Sequence, residues 1–532
     1  MRTLSRSIQL LLVLCAAVSY GAAQGMISGT VKGPDGAAVR GAFVRARSAS
    51  RSRITVSVLS DSQGRYRFDS LAPGGYRVWS ESAGYAAAPA VEVEATARGA
   101  SQDFTLGKGM VKWSDLSNHQ MLTLLPESKG KTVLNDRCLI CHGFQSRMAA
   151  RPRSPEGFQA MVRYMRTAMH FNLGERLTED MVADLLPFLN ESFGVDATVP
   201  KSPTELPGYQ ETVRPFTDEG LKIVYVDYQM TKPSSFPFSA TPDQDGKVWI
   251  PEFGAANRIA RLDPATGEMQ EFSAPHKGTA AIHSAVPAPD GSIWMAEQGS
   301  NKLGRWDPRT ETITEYQADY EPGRPKVLIT GSKHTSRVDS MGNVWSSGYP
   351  FTKFDPKTEQ FTYYKEARST YDVAIDAADN AWFTANNPPS HIGKVDAQTD
   401  QVTMWELPTK SYLRRVEIDS QGILWIGEYS AGKLARFDPV TETFEEFQLP
   451  GPLPTPYAMG IDRRDRVWYS SHDMDVVGVF DPATGKVTEY PVPYTENAMK
   501  EFFRDAQGRL WWGSPPNNRV GYFYIAGENA SR

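Results

Sequence analysis

The sequence predicts a multidomain, mainly β protein: an N-terminal β-sandwich, a small all-α domain and a C-terminal seven-bladed β-propeller. Short alternating strands separated by Gly- and Pro-rich turns fill residues 26–106, and apolar spacings of three and four mark helices within 107–195. From about residue 221 onward a turn followed by a tryptophan recurs to the C-terminus. At 532 residues the chain is too long for one ordinary domain. Its net charge of -5 carries no polybasic signature for nucleic acid.

Residues 1–24 read as a signal peptide. Arg2 and Arg6 precede an apolar run from Ile8 to Val18, and Gly21-Ala22-Ala23-Gln24 has the small residues of a cleavage site. Cys15 lies inside that run and is expected to leave with the leader. No later stretch reaches about eighteen continuous apolar residues, so no membrane-spanning helix is expected after cleavage. The expected location is periplasmic or extracellular.

Residues 25–106 form the sandwich. Strands Ile27 to Val31, Ala42 to Arg47, Tyr66 to Asp69 and Tyr76 to Trp79 are punctuated by Gly33-Pro-Asp-Gly36, Asp61-Ser-Gln-Gly64 and Pro73-Gly-Gly75. The run from Gly29-Thr-Val through Gly64-Arg-Tyr-Arg-Phe68 to Leu71-Ala-Pro-Gly-Gly-Tyr76 resembles carboxypeptidase regulatory-like domains. That resemblance implies a packing or binding module without catalytic groups.

The helical segment, 107–195, holds Cys138-Leu139-Ile140-Cys141-His142. Two cysteines three apart place both thiols within one helical turn, where they add to two porphyrin vinyl groups, and the next histidine becomes the proximal iron ligand. Cys138 and Cys141 are therefore the expected covalent anchors of one haem c, with His142 on its iron. A zinc site would need further ligands such as His119 or His170, and a thioredoxin-like pair would need a βαβ setting. Neither a second Cys pair nor that setting is present.

A helix from about Lys129 into Cys138, a second from Pro155 to His170 and a third from Thr178 to Phe193 are predicted. Phe158, Met161, Val162, Met165 and Met169 share one face of the second, and Met181, Leu185, Leu186, Phe188 and Leu189 are buried by the third. With the haem motif, these helices resemble a class I cytochrome c domain. The aromatic-to-methionine spacing from Phe158 to Met165 makes Met165 the expected sixth ligand, with Met169 and His170 in reserve; simple packing of these methionines is the other reading. Arg147, Arg151 and Arg153 are candidate partners for haem propionates, or else a solvated basic loop.

Residues 196–219, with Pro200, Pro203, Pro207 and Pro215, read as a stiff linker. The propeller follows over 220–528. Its turns end on Trp249, Trp294, Trp345, Trp382, Trp425, Trp468 and Trp511, most of them about 43 residues apart, the length of one four-stranded blade. Leu221 to Asp227 lacks such a turn and is expected to complete the last blade, closing the ring and protecting its edges. The tryptophans are expected to pack between blades.

Runs such as Ile293-Trp-Met-Ala-Glu297 with Asn301-Lys-Leu-Gly-Arg305, and Leu424-Trp-Ile-Gly-Glu428 with Lys433-Leu-Ala-Arg436, resemble the virginiamycin B lyase (streptogramin lyase) family. The resemblance implies a functional rim where each innermost strand begins, at Phe238, His283, His334, Tyr371, Arg414, Tyr457 and Lys500. It also implies Mg²⁺-assisted elimination, yet Ala498-Met499-Lys500 stands where the family has a Glu-Pro-His run with its catalytic histidine. Tyr457 replaces a substrate-contacting histidine, and no acid lies near Ser514 for the second metal-binding glutamate. Lysine supplies no neutral imidazole base, and the lost acids are the oxygen ligands Mg²⁺ prefers. His283, His334, Glu252 and Glu297 remain as candidates for a rearranged metal or acid/base site.

The leading functional expectation is an exported monohaem electron-transfer protein whose propeller recognises a small-molecule substrate or a redox partner protein. A streptogramin B lyase, a quinohaemoprotein-like dehydrogenase and a non-catalytic binding scaffold are the alternatives.

Overall fold

A computed structural model describes residues 24–528 apart from 140–141, 169–172, 174–175, 255, 319–332, 386–388 and 497. In the N-terminal sandwich one sheet is built on Gly25–Lys32, which pairs with Arg65–Leu71 and with Ala100–Ser101. The other runs Ile54–Leu59, Phe43–Ser48, Gly74–Glu81, Val91–Ala95. Alternation along these strands sends Ile27, Val44, Phe68 and Val78 into a shared core. Strands Ile54–Leu59 and Val91–Ala95 were not anticipated, because the first is flanked by arginines and serines rather than by Gly-Pro turns.

Six four-stranded antiparallel sheets follow one another around the ring, and a seventh is formed by Phe503–Arg504, Leu510–Ser514, Arg519–Ile525 and Ile223–Gln229. The strand that opens the propeller thus completes its last blade. Ile223–Gln229 also pairs on its other side with Ile54–Leu59 of the sandwich, so the last blade and one sandwich sheet are a single eight-stranded sheet. An outer edge that would otherwise be open is thereby covered. Asp227, wholly buried at this seam, accepts from Arg519 and from Tyr494 Oη at 3.1 Å, and Arg45 of the sandwich stacks on the Tyr494 ring.

The repeat has a local cause. In six blades the indole Nε1 donates to the carboxylate of an aspartate six residues earlier, at 2.8–3.0 Å: Asp243, Asp339, Asp376, Asp419, Asp462 and Asp505. The other oxygen of the same aspartate caps the turn; Asp419 Oδ1 accepts from the amides of Gln421 at 2.9 Å and Ile423 at 3.0 Å. One side chain therefore fixes both the turn and the tryptophan. The second blade has Ala288 in that place. The indoles then pack across to the next blade, Trp249 on Trp306, Trp425 on Phe480 and Trp468 on Phe523.

The helical segment comprises Asn118–Leu124, Lys129–Val133 running into a π-type turn at Leu134–Cys138, Pro155–Ala168 and Glu179–Phe193. Ser117, Ser128 and Thr178 cap three of these helices through their hydroxyls. Gly130 lets the second helix lie directly on the last, since a Cβ there would stand 2.5 Å from Phe188 Cβ. Phe144, Phe158, Leu185, Leu189 and Phe193 fill the core. Residues 196–219, expected as a linker, are instead folded down. Pro203–Glu205 and Tyr209–Thr212 are short helical turns, Trp113 Nε1 donates to Pro200 O at 2.8 Å, and Arg214 pairs with Glu489 at 2.7 Å.

Replacing Asp419 by Ala removes both the turn cap and the indole acceptor. The expected cost is about 2 kcal/mol, read as a lower denaturant midpoint in tryptophan fluorescence. Ala288→Ser, in the blade that lacks the clamp, is expected to leave the midpoint within about 0.5 kcal/mol of wild type.

Candidate functional site

The helical segment sits on one mouth of the propeller channel and is held there by polar contacts between the two. Asn118 Nδ2 donates to Asp473 at 2.9 Å, His472 Nε2 donates to Leu139 O at 2.7 Å, and the Ser146 amide donates to Glu496 at 2.9 Å. Between segment and mouth lies a cavity of about 1940 Å³. All seven expected rim positions line it, together with His142, Arg147 and Met165 of the helical segment.

The rim is divided in two. On the first four blades Phe238, His283, His334 and Tyr371 form a continuous arc, with ring centroids 4.2, 3.9 and 4.3 Å apart in that order. On the last three, Arg414 lies over the rings of Tyr371, Tyr429 and Tyr457 at 4.8, 4.3 and 5.2 Å, and Lys500 Nζ lies 3.9 Å over Tyr457. The Tyr371 and Tyr457 hydroxyls touch across the gap. Burial, with the nearby arginines and lysine, pushes both histidines well below the usual range, so the imidazoles are neutral.

Below the rim the channel is closed. Arg415 donates to Thr335 Oγ1 at 2.6 Å, Asp372 Oδ1 at 3.0 Å and Lys500 O at 2.8 Å, and pairs with Glu501 at 2.9 Å. These partners belong to blades three, four and seven, whereas Arg415 belongs to blade five, so its guanidinium lies near the axis. Both acids and the arginine are buried. Glu417, also facing this network, is pushed up to about 8, mainly by burial.

Glu252 and Glu297 are not on the rim. Each lies on the second strand of its blade, one strand out from the channel. Glu252 accepts from Arg258 at 2.6 and 3.1 Å, and Glu297 accepts from Ser300 Oγ at 2.7 Å. The structure therefore brings His283 and His334 together without either glutamate, and among the described residues no three His, Cys, Asp or Glu side chains gather as a metal site. Burial pushes Glu297 up to about 7.

A second, apolar cavity of about 310 Å³ lies inside the helical segment, lined by Cys138, His142, Met161, Met165, Leu185 and Leu189 among others. It shares His142, Arg147, Arg151 and Met165 with the larger cavity, so the two adjoin. His142 is buried, and its Nδ1 lies 2.7 Å from Gly143 O. A carbonyl only accepts, so Nδ1 carries the proton and Nε2 keeps its lone pair. Burial first, and then Arg147, lower His142 to about 3. Arg147 Nε is buried with no hydrogen-bond partner among the described residues, and Arg153 also lines the cavity. Cys141, Met169 and His170 lie outside the described residues. His119, at the propeller mouth, donates its amide to Asp473 O.

With this geometry in view, the comparisons fall on two parts of the chain. Residues 356–531 match the virginiamycin B lyase family. Residues 26–107 match the carboxypeptidase regulatory-like domain. Neither match reaches the helical segment, and no curated protein matches the chain. Virginiamycin B lyase from Staphylococcus aureus aligns with a TM-score of 0.51 at 19% identity, over 57% of this chain and 99% of its own. A streptogramin B lyase aligns with a TM-score of 0.52 at 21% identity, over 58% and 100%. At these identities the likeness is one of fold.

Rim positions were legible in the sequence because the lyase-family resemblance implied them and each stands at a fixed offset before a blade tryptophan. Arg415 was missed, since it neighbours a rim residue and its partners are up to 86 positions away in sequence. An arginine pair at Arg414-Arg415 on an innermost strand was the available signal.

Replacing Arg415 by Met strands Asp372 and Glu501 without their cation and is expected to cost about 3–5 kcal/mol in denaturant unfolding. Arg415→Lys is not expected to restore it, because one ammonium cannot span the same acceptors. For Glu297, an acid pushed up on folding favours the folded state only while it is protonated. Wild-type stability relative to Glu297→Gln is therefore expected to fall as pH rises from about 4.5 to 7 and to level off above that, in parallel denaturation series.

Proposed function

We propose that this chain is an exported c-type haem protein that transfers electrons, with the chamber on the propeller mouth receiving the molecule or partner that exchanges them. The observation that carries this reading is His142. It follows the Cys138–Cys141 pair, is buried and neutral, has Nδ1 held by a backbone carbonyl, and lines an apolar cavity with Cys138 and Met165. That tautomer leaves Nε2 free to ligate iron, and the carbonyl on Nδ1 fixes the ring's orientation. The donor set therefore fits a haem: Cys138 and Cys141 would hold it, His142 would ligate its iron, and Met165 would be the sixth ligand.

Bound there, the haem would supply one-electron chemistry. The chain's own residues set its surroundings. Leu185, Leu189 and Val162 exclude water, Arg147 offers a buried donor with no other hydrogen-bond partner among the described residues, and His472 fixes the Leu139 carbonyl of the attachment loop to the propeller. Export is supported by the leader-like N-terminus. No helix among the described residues is long and apolar enough to cross a membrane.

The second reading, elimination of a streptogramin B ring in the chamber, is favoured by the family match of residues 356–531. Lys500 in place of the family's catalytic histidine weighs against it. Liquid chromatography with fragmentation mass spectrometry after incubation with streptogramin B and Mg²⁺ separates the readings, and a linear product of unchanged mass carrying a new carboxylate and alkene would establish the lyase.

Protein exported alongside a haem-attachment system is expected to show one haem per chain by pyridine haemochrome and a matching covalent mass increase. Bare thiols at Cys138 and Cys141 would overturn the reading. Met165→Ala is expected to keep the covalent haem but to lower its reduction potential and change the reduced spectrum.

A further inference from the structure

The large chamber is cationic in an acidic protein. Nine arginines and lysines line it against two aspartates; Arg258 and Lys232 among them are paired with Glu252 and Glu271 just behind the lining, and the other seven still outnumber the aspartates, while the whole chain carries -5. A cavity lined by one sign of charge concentrates ligands of the other.

The charges and the rings are segregated. The arc from Phe238 to Tyr371 offers a wall of ring faces and edges on four adjacent blades, extended by Phe236 and Phe253, with Phe238 and Phe253 at 5.0 Å. Arg414 and Lys500 stand on the opposite side, with Tyr371 and Tyr457 between them. His283 sits in the arc only 2% exposed, and its Nδ1 has no hydrogen-bond partner among the described residues. A buried polar atom left in that state costs free energy unless a ligand group meets it. Beneath, the Arg415 network closes the channel, so the chamber is a blind pocket with its other wall at His142 and Met165. Its volume exceeds the roughly 300–1,000 Å³ of an ordinary ligand pocket, which leaves room for an aromatic molecule.

We infer that the chamber binds an aromatic carboxylate, its ring against the Phe238–His283–His334–Tyr371 arc, its carboxylate toward Arg414 and Lys500, and a polar substituent at His283. The inference deepens the proposed function by naming the class of molecule that meets the haem. A desolvated carboxylate gains charge-assisted hydrogen bonds from arginine and lysine that a neutral amide does not.

Isothermal titration of the full-length, haem-loaded protein with benzoate, 4-hydroxybenzoate and trans-cinnamate, each beside its primary amide, tests this. Inorganic phosphate serves as the non-aromatic anion. At least one acid is expected to bind one per chain, at least tenfold more tightly than its amide and than phosphate, and more weakly as salt is raised. Arg414→Gln and Lys500→Met are each expected to weaken it at least tenfold with circular dichroism and haem content unchanged. Should either variant fail to fold, the acid-against-amide comparison on wild type still decides.

No binding by any acid, or equal binding of acid and amide, overturns the inference. A pyridine haemochrome assay on the same preparation keeps the two proposals apart. Haem present without acid binding sinks only the ligand class. Discrimination between acid and amide without covalent haem sinks only the electron-transfer reading.

Discussion

A ring of blades leaves a hole along its axis, and here one guanidinium fills it. Arg415 reaches from blade five to blades three, four and seven and is paired with two buried carboxylates. Closing the hole with a charge is costly unless every partner is in place, because none of the three groups keeps its hydration. In return the inner strands are tied in register across the axis, which sheet hydrogen bonds within a blade do not do. The same contact turns a through-channel into a pocket with a floor. Everything above it, the aromatic arc, the tyrosine pair, Arg414 and Lys500, stands on innermost strands whose spacing this node holds.

The two parts of the chain that precede the ring are used to cover its closing edge and its mouth. The N-terminal sandwich adds its sheet to the last blade through Ile223–Gln229, covering the place where the ring closes. The helical segment, between sandwich and ring in sequence, is folded over the mouth and pinned by Asn118, Leu139 and Ser146. The docked stretch from Pro200 to Arg214 keeps it from swinging away. His142 and the rim thus face one cavity because three separate contacts agree on where the helical segment sits. That juxtaposition distinguishes this chain from a propeller with a loosely tethered helical domain, where the distance between the two would vary.

The likeness of fold covers the ring, the family match only residues 356–531, and both leave the chemistry open. The blades keep their tryptophan turns, while the rim carries a different set of groups, with a lysine and a tyrosine at the positions where the family resemblance implies histidines. Fold and activity are separable in this way because the Asp–Trp clamps lie in the turn that follows each innermost strand, whereas the rim lies where that strand begins.

What the sequence determined by itself was local. Turn chemistry and the tryptophan spacing disclosed the blades, and a fixed offset from each tryptophan located the rim that the family resemblance implied, since each depends on residues close together in the chain. What only the tertiary structure decided was which of those pieces meet. Glu252 and Glu297 share a sequence position relative to their tryptophans with no access to the channel, because they lie one strand out. Arg415 finds its partners, the sandwich finds the last blade, and His142 finds the rim across separations of 43 to more than 300 residues. Such meetings are set by ring closure and packing, which depend on the whole chain at once and leave no short-range pattern to read.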